Sequence, residues 1–296
     1  MQSEVYLFGM VLASTSFLLK GGFIKPDEYS EISEKYRLPG GETGTCATVL
    51  ASLGVNVRMD GNHIGYEVEP VLREFYKDKT VSLDSLYIDN NYRGLEDYII
   101  IADDFRSPMG TFAEYYTSGR KQWNSPKEAD IAGCQVAAID PYFEDASEAA
   151  ARYCVLHEKP YVTIDCKYDS FLHKNAAISV ISGEGISNQY PGKTREDMLP
   201  LYLDNSDSLT IITNGSKRFY YGRKGQEVKS FDPFRVEVIS TLGAGDTFKA
   251  GCTYGLLKGM KDDDLVRFAS ACSAVAIGRF PLPLNPPKLE EIEKLL

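Results

Sequence analysis

The residues best placed to do chemistry lie in the run Thr241-Leu242-Gly243-Ala244-Gly245-Asp246-Thr247-Phe248. Two glycines at a strand-to-helix turn aim several backbone N–H groups, and the positive end of the helix dipole, at one point. Such a turn is an anion hole. A carboxylate at the helix start, here Asp246, would stand beside that hole and could accept a proton from a hydroxyl attacking a phosphoryl group. Charge stabilisation by Gly243, Ala244 and Gly245 would then act next to the base. The bland alternative is that Asp246 only caps the helix and the glycines only permit the turn. A dinucleotide-binding reading of Gly243 and Gly245 fails because Phe248 occupies the position where a third glycine or alanine is needed for close helix packing.

A second segment, Pro39-Gly40-Gly41-Glu42-Thr43-Gly44-Thr45, carries paired glycines before a helix that runs from Thr45 to Leu53 and stops at Gly54. Paired glycines let a ligand approach the backbone closely, and Thr45 offers a hydroxyl. Pro191-Gly192-Lys193-Thr194 imitates the end of a P-loop, but the first glycine of that motif is replaced by Ser187, so Lys193 reads as a surface lysine. His63, His157 and His173 have no metal-ligand spacing, and the six cysteines contain no CxxC pair, which fits buried thiols.

Elements must hold these segments in place. Apolar runs alternate with amphipathic segments, the rhythm of a mostly parallel sheet wrapped by helices. Strands are expected at Val5 to Leu12, Val55 to Met59, Tyr98 to Ala102, Val136 to Ile139, Tyr161 to Ile164, Ala177 to Ile181, Leu209 to Thr213 and Val236 to Ile239. The segments 14–38 and 87–124 break the rhythm and read as a small β lid inserted into a single α/β domain covering 1–296. The proline-rich tail from Phe280 to Pro287 reads as an extended surface segment. With 42 acidic against 32 basic side chains, the formal charge is −10, which repels nucleic acid and anionic membrane. The apolar stretch Val5 to Leu19 carries no preceding Lys or Arg and suits a buried strand rather than a secretory signal, so the chain reads as cytoplasmic.

Taken in order, five motifs resemble the ribokinase-like (PfkB-type) carbohydrate kinases. They are the opening strand with Gly9, the Gly40-Gly41 segment ending in Leu53-Gly54, Asp60-Gly61-Asn62-His63-Ile64-Gly65, Thr213-Asn214-Gly215-Ser216-Lys217, and the run from Thr241 to Phe248. The resemblance implies a doubly wound α/β fold with a β-sheet lid, ATP near the C-terminal helices, and Mg²⁺ bridging its phosphates. It implies transfer of the ATP γ-phosphate to a sugar hydroxyl, with Asp246 as base and Gly243, Ala244 and Gly245 as the anion hole. Thr213, Gly215 and Thr241 would line the nucleotide site, with Lys217 on a phosphate. Ser14, Gly40, Gly41, Thr45 and lid Arg106 would face the acceptor, a small sugar-like molecule, and an exposed lid edge offers a surface for a homodimer.

Departures from the family pattern bear on the acceptor. Ser14 stands where an aspartate usually grips two sugar hydroxyls, and Thr45 stands where asparagine is usual. Ser240 replaces the first aspartate of the C-terminal signature, which leaves a side-chain-assisted monovalent cation site doubtful. The segment that usually organises Mg²⁺ becomes Ser182-Gly183-Glu184-Gly185, leaving Glu184 as its acid. These changes point to a modified or charged sugar, with Arg106 and Arg120 compensating and lid tyrosines such as Tyr115 and Tyr116 available to stack on it. The alternatives are a nucleoside kinase of the same fold, or a catalytically weak relative that binds sugar or nucleotide as a sensor.

Overall fold

The computed structural model describes residues 3–102, 105–112, 115 and 122–296, so Arg120 and Tyr116 lie outside the described residues. Val5–Gly9 (β1) is buried along its whole length, as a strand covered on both faces must be. Its alternate side chains divide the interior. Val5 and Leu7 join one core with Cys46, Val49 and Leu50 of Gly41–Ser52 (α1), while Tyr6 and Phe8 join a second core with Ala146, Ala150 and Cys154 of Glu144–Leu156 (α3). One strand of period two therefore anchors helices on both faces.

The other strands and longer helices among the described residues begin with Leu12–Lys20 (β2), Glu31–Gly40 (β3), Val57–Gly61 (β4), Ile64–Gly65 (β5), Glu69–Tyr76 (α2), Val81–Ser82 (β6), Ile88–Asp89 (β7), Glu96–Ala102 (β8), Phe105–Gly110 (β9), Val136–Ile139 (β10), Tyr161–Ile164 (β11) and Ile178–Ile181 (β12). They continue with Gly183–Gln189 (α4), Arg195–Asn205 (α5), Leu209–Ile212 (β13), Phe219–Gly222 (β14), Lys229–Phe231 (β15), Ala244–Leu257 (α6) and Asp262–Ile277 (α7). The large sheet has the order β15-β14-β13-β12-β11-β10-β1-β4-β6. Its strands pair in parallel except at β14 and β15, giving the doubly wound α/β architecture. A second sheet has the order β3-β2-β8-β9, with β2 and β8 parallel and its outer pairs antiparallel.

Three expectations need correction. Tyr98 to Ala102 belongs to β8 of the second sheet, not to the large one. Val236 to Ile239 forms no strand: it is an exposed extended stretch whose Ile239 and Ser240 N–H groups both donate to the carbonyl of Ile277. The tail from Phe280 is not merely a surface segment, because Pro281 and Leu282 are buried and line the main cavity. Thr194, read above as the end of a false P-loop, caps α5 in a reciprocal capping box with Asp197. His173 is a buried core histidine, bonded to Ser179 Oγ and the Tyr202 carbonyl, and burial lowers its pKa.

Candidate active site

A cavity of about 440 Å³ opens between the two sheets. Ser14, Gly40, Gly41, Thr45, Arg106, Gly243 and Asp246 all line it, so segments more than two hundred residues apart meet at one place. Gly243 caps α6 with φ 74°, a left-handed conformation that favours glycine, and a Cβ there would come within 2.7 Å of Leu282. The turn does not present every N–H group to the cavity. Ala244 donates to the Thr241 carbonyl at 3.2 Å, whereas the N–H groups of Gly243, Gly245 and Asp246 have no acceptor among the described residues. Arg106, on strand β9 of the second sheet, also reaches the Thr241 carbonyl, at 3.4 Å, and ties that sheet to the turn.

Beneath the turn lies a charged group that sequence reasoning missed. Lys249 Nζ stands 2.5 Å from Asp140 Oδ1, with the two side chains 1% and 0% exposed. Thr43 Oγ donates to the other Asp140 oxygen at 3.0 Å. Gly9 explains itself here, since a Cβ would stand 2.0 Å from that oxygen. Lys249 follows Asp246 by three residues on α6, one helical turn away, so the spacing was readable once the helix was placed. Nothing local marked Asp140 as its partner.

The charges set the protonation of the site. Asp246 and Glu42 are half-buried on the cavity wall, and burial raises the pKa of both. For Asp246, Lys249 and Arg106 oppose that rise while Asp140 and Asp165 add to it. For Glu42, Asp246 and Asp140 add to burial, and the carboxyl is pushed up to about 8. A carboxyl raised in the folded state stays protonated where the unfolded chain has ionised, so the folded state binds more protons and stability falls as pH rises. The fall attributable to Glu42 begins above its ordinary value near 4.5 and continues through about pH 8. Glu42→Gln removes this contribution. Denaturant titrations should find it about 1–3 kcal/mol more stable than wild type at pH 8, with the advantage gone near pH 4. Equal or lower stability at pH 8 would refute the assignment.

The remaining candidates lie to one side. Thr213 is half-buried at the end of β13, and its N–H donates to the Ile181 carbonyl at 2.8 Å. Gly215 and Lys217 sit in the exposed turn that follows, and Gly215 has φ 57° with open space around it. Glu184 is exposed near the start of α4, where its charge helps to raise the pKa of Asp165, chiefly raised by burial. The Asp165 carboxylate accepts from the Ser182 N–H at 2.6 Å and from Ser182 Oγ at 3.0 Å. Asp60 and Asn62 brace the floor rather than enter the cavity: Asp60 accepts from Tyr6, and Asn62 clamps the Val11 backbone through both of its amide atoms. Tyr115 does not line the cavity, but is buried against Trp123.

Comparison with known proteins agrees with this arrangement. The profile of the pfkB family carbohydrate kinase matches residues 180–282, which include the glycine turn and Asp246. The 5-dehydro-2-deoxygluconokinase of Bacillus subtilis is 25% identical over 157 residues, covering 53% of this chain and 44% of that protein. The chain thus spans less than half the length of that relative. Ribokinase of Bacillus subtilis is 24% identical over 270 residues, 88% of each chain. A crystal structure of a putative ribokinase from Agrobacterium tumefaciens superposes with a TM-score of 0.87 at 18% identity, over 99% of this chain and 97% of that one. Residues 180–282 thus match the pfkB family of carbohydrate kinases, and the chain as a whole has the fold of the ribokinase structure.

Proposed function

We propose that the protein is an ATP-dependent sugar kinase, transferring the γ-phosphoryl group to a hydroxyl of a polyhydroxylated acceptor. The observation that carries this reading is Asp246 on the cavity wall beside a turn whose Gly243 and Gly245 N–H groups are unengaged. The acceptor hydroxyl would lie against Asp246, whose carboxylate burial makes more basic than usual and so better able to take its proton. The free N–H groups would hold the charge that develops on the transferred phosphoryl oxygens. Arg106 would add a positive charge from the lid and help to shut water out.

The open turn around Thr213, Gly215 and Lys217 has room for the nucleotide, and Thr241 would lie between it and the acceptor. No group of three potential metal-binding side chains gathers among the described residues. That suits Mg²⁺, which keeps several waters and needs only one or two carboxylates besides the phosphates. Asp165 and Glu184 are the acids placed to hold it, and when bound it would neutralise phosphate charge. The apolar wall formed by Leu38, Ile99, Phe112 and Leu282 supports a second reading, an acceptor with a planar or apolar part such as a nucleoside. Pairing of two copies along the lid edge at β3 remains part of the proposal, supported by Ile32, 48% exposed there. The test is a panel of neutral sugars, amino sugars, sugar acids and nucleosides scored for acceptor-dependent ADP release. A sugar or nucleoside substrate is expected; ATP binding without acceptor-dependent release would instead indicate a sensor.

A further inference from the structure

Asp97 enters neither the resemblance nor the proposed transfer step, yet it lies on the cavity wall. It belongs to β8, the lid strand paired in parallel with β2, and the register sets Asp97 against Ser14. The Ser14 hydroxyl lies near enough to its carboxylate to oppose the rise that burial causes in its pKa. Oδ1 is buried and has no hydrogen-bond partner among the described residues. Leaving a carboxylate oxygen without a donor is costly, and such oxygens in native proteins call for an explanation. Here the unpaired atom belongs to a residue that walls an open cavity of ligand size.

We propose that Asp97 grips the acceptor, its under-satisfied carboxylate accepting from a ligand hydroxyl, and that it makes the pocket select neutral polyols over sugar acids. The assignment rests on the kinase reading for the identity of the ligand as a phosphoryl acceptor. Ser14 is the neighbour that orients the carboxylate, so the Ser14 and Asp97 pair offers a ligand one charged acceptor on the lid side of the cavity. The charges around the cavity point the same way. Among the described residues, Asp97, Glu42 and Asp246 are three acids on its wall, against the one cation Arg106. A ligand carboxylate would meet the like charge of the Asp97 carboxylate, whereas hydroxyl donors supply what that carboxylate lacks. Burial also raises the Asp97 pKa to about 6, against the lowering effect of Ser14, in keeping with a carboxylate short of donors.

The test is calorimetric binding of D-ribose, D-fructose, adenosine and D-gluconate to the full chain saturated with Mg²⁺ and a non-hydrolysable ATP analogue. Wild type is expected to bind at least one of the three neutral compounds more tightly than D-gluconate. Asp97→Asn should weaken that neutral ligand by roughly 10-fold and Asp97→Leu by roughly 100-fold, while affinity for the ATP analogue stays within about twofold. Both variants should narrow the gap to D-gluconate. Unaltered affinity for the analogue also shows that they fold. Neutral-ligand binding within twofold of wild type in Asp97→Leu would overturn the proposal. So would a wild-type protein that prefers D-gluconate or binds none of the neutral compounds. If a neutral compound binds and depends on Asp97 but is never phosphorylated with ATP, the kinase reading falls and the Asp97 assignment stands.

Discussion

Asp246→Asn is expected to lower kcat by about 10²- to 10⁴-fold while leaving the KM for ATP within a few-fold of wild type. The carboxamide fills the same volume at the start of α6 but cannot take a proton from the acceptor. The Gly243 turn, which forms from backbone geometry, stays in place. Residual transfer should persist, because the unengaged N–H groups of Gly243 and Gly245 still favour the developing charge. Steady-state kinetics with the best acceptor of the panel checks this. A kcat within threefold of wild type would remove Asp246 from the role of base.

The second large effect concerns stability. The Lys249 ammonium and the Asp140 carboxylate are fully enclosed, so each depends on the other for solvation. Burial works against the charged ammonium, but the Asp140 carboxylate beside it outweighs burial, and the Lys249 pKa is raised overall. Lys249→Met leaves a buried carboxylate with Thr43 as its one side-chain donor among the described residues, which should cost about 3–5 kcal/mol. Neutralising the partner as well, in Lys249→Met with Asp140→Asn, should recover a substantial part of that loss. Denaturation midpoints of Lys249→Met, Asp140→Asn and the double variant test the pairing. A single variant within about 0.5 kcal/mol of wild type, or a double variant less stable than the sum of both singles, would show that the two charges are not coupled. The pair also ties β10 to α6, so its loss should blur the position of Asp246 one turn away.

The parts legible in the sequence were those written in local patterns. The apolar run Val5 to Phe8 and the glycine turn before Asp246 carried the first strand and the start of α6, because strand composition and turn chemistry are local properties. Val236 to Ile239 has the same apolar look, but it finds no neighbouring strand and bonds to the end of α7 instead. Strand identity is completed by a partner, which composition does not specify. The prolines of the tail described its backbone and said nothing of its burial, so the role of Leu282 in walling the cavity was missed. Asp97, Asp140 and Lys249 were missed for a related reason. A buried charge is visible only through its partner, and Asp97 meets Ser14 through parallel register across 83 positions. The same contact revises the sequence-based argument about the acceptor: Ser14 did not leave the cavity without a carboxylate, since β8 supplies one.

Transfer of label from [γ-³²P]ATP, followed in the presence of Mg²⁺ and each neutral acceptor, tests the central claim most directly. The account predicts label in a sugar or nucleoside monophosphate, formed by wild type and lost in Asp246→Asn. Label that appears only as inorganic phosphate, or that stays in bound ATP whatever acceptor is offered, would contradict it.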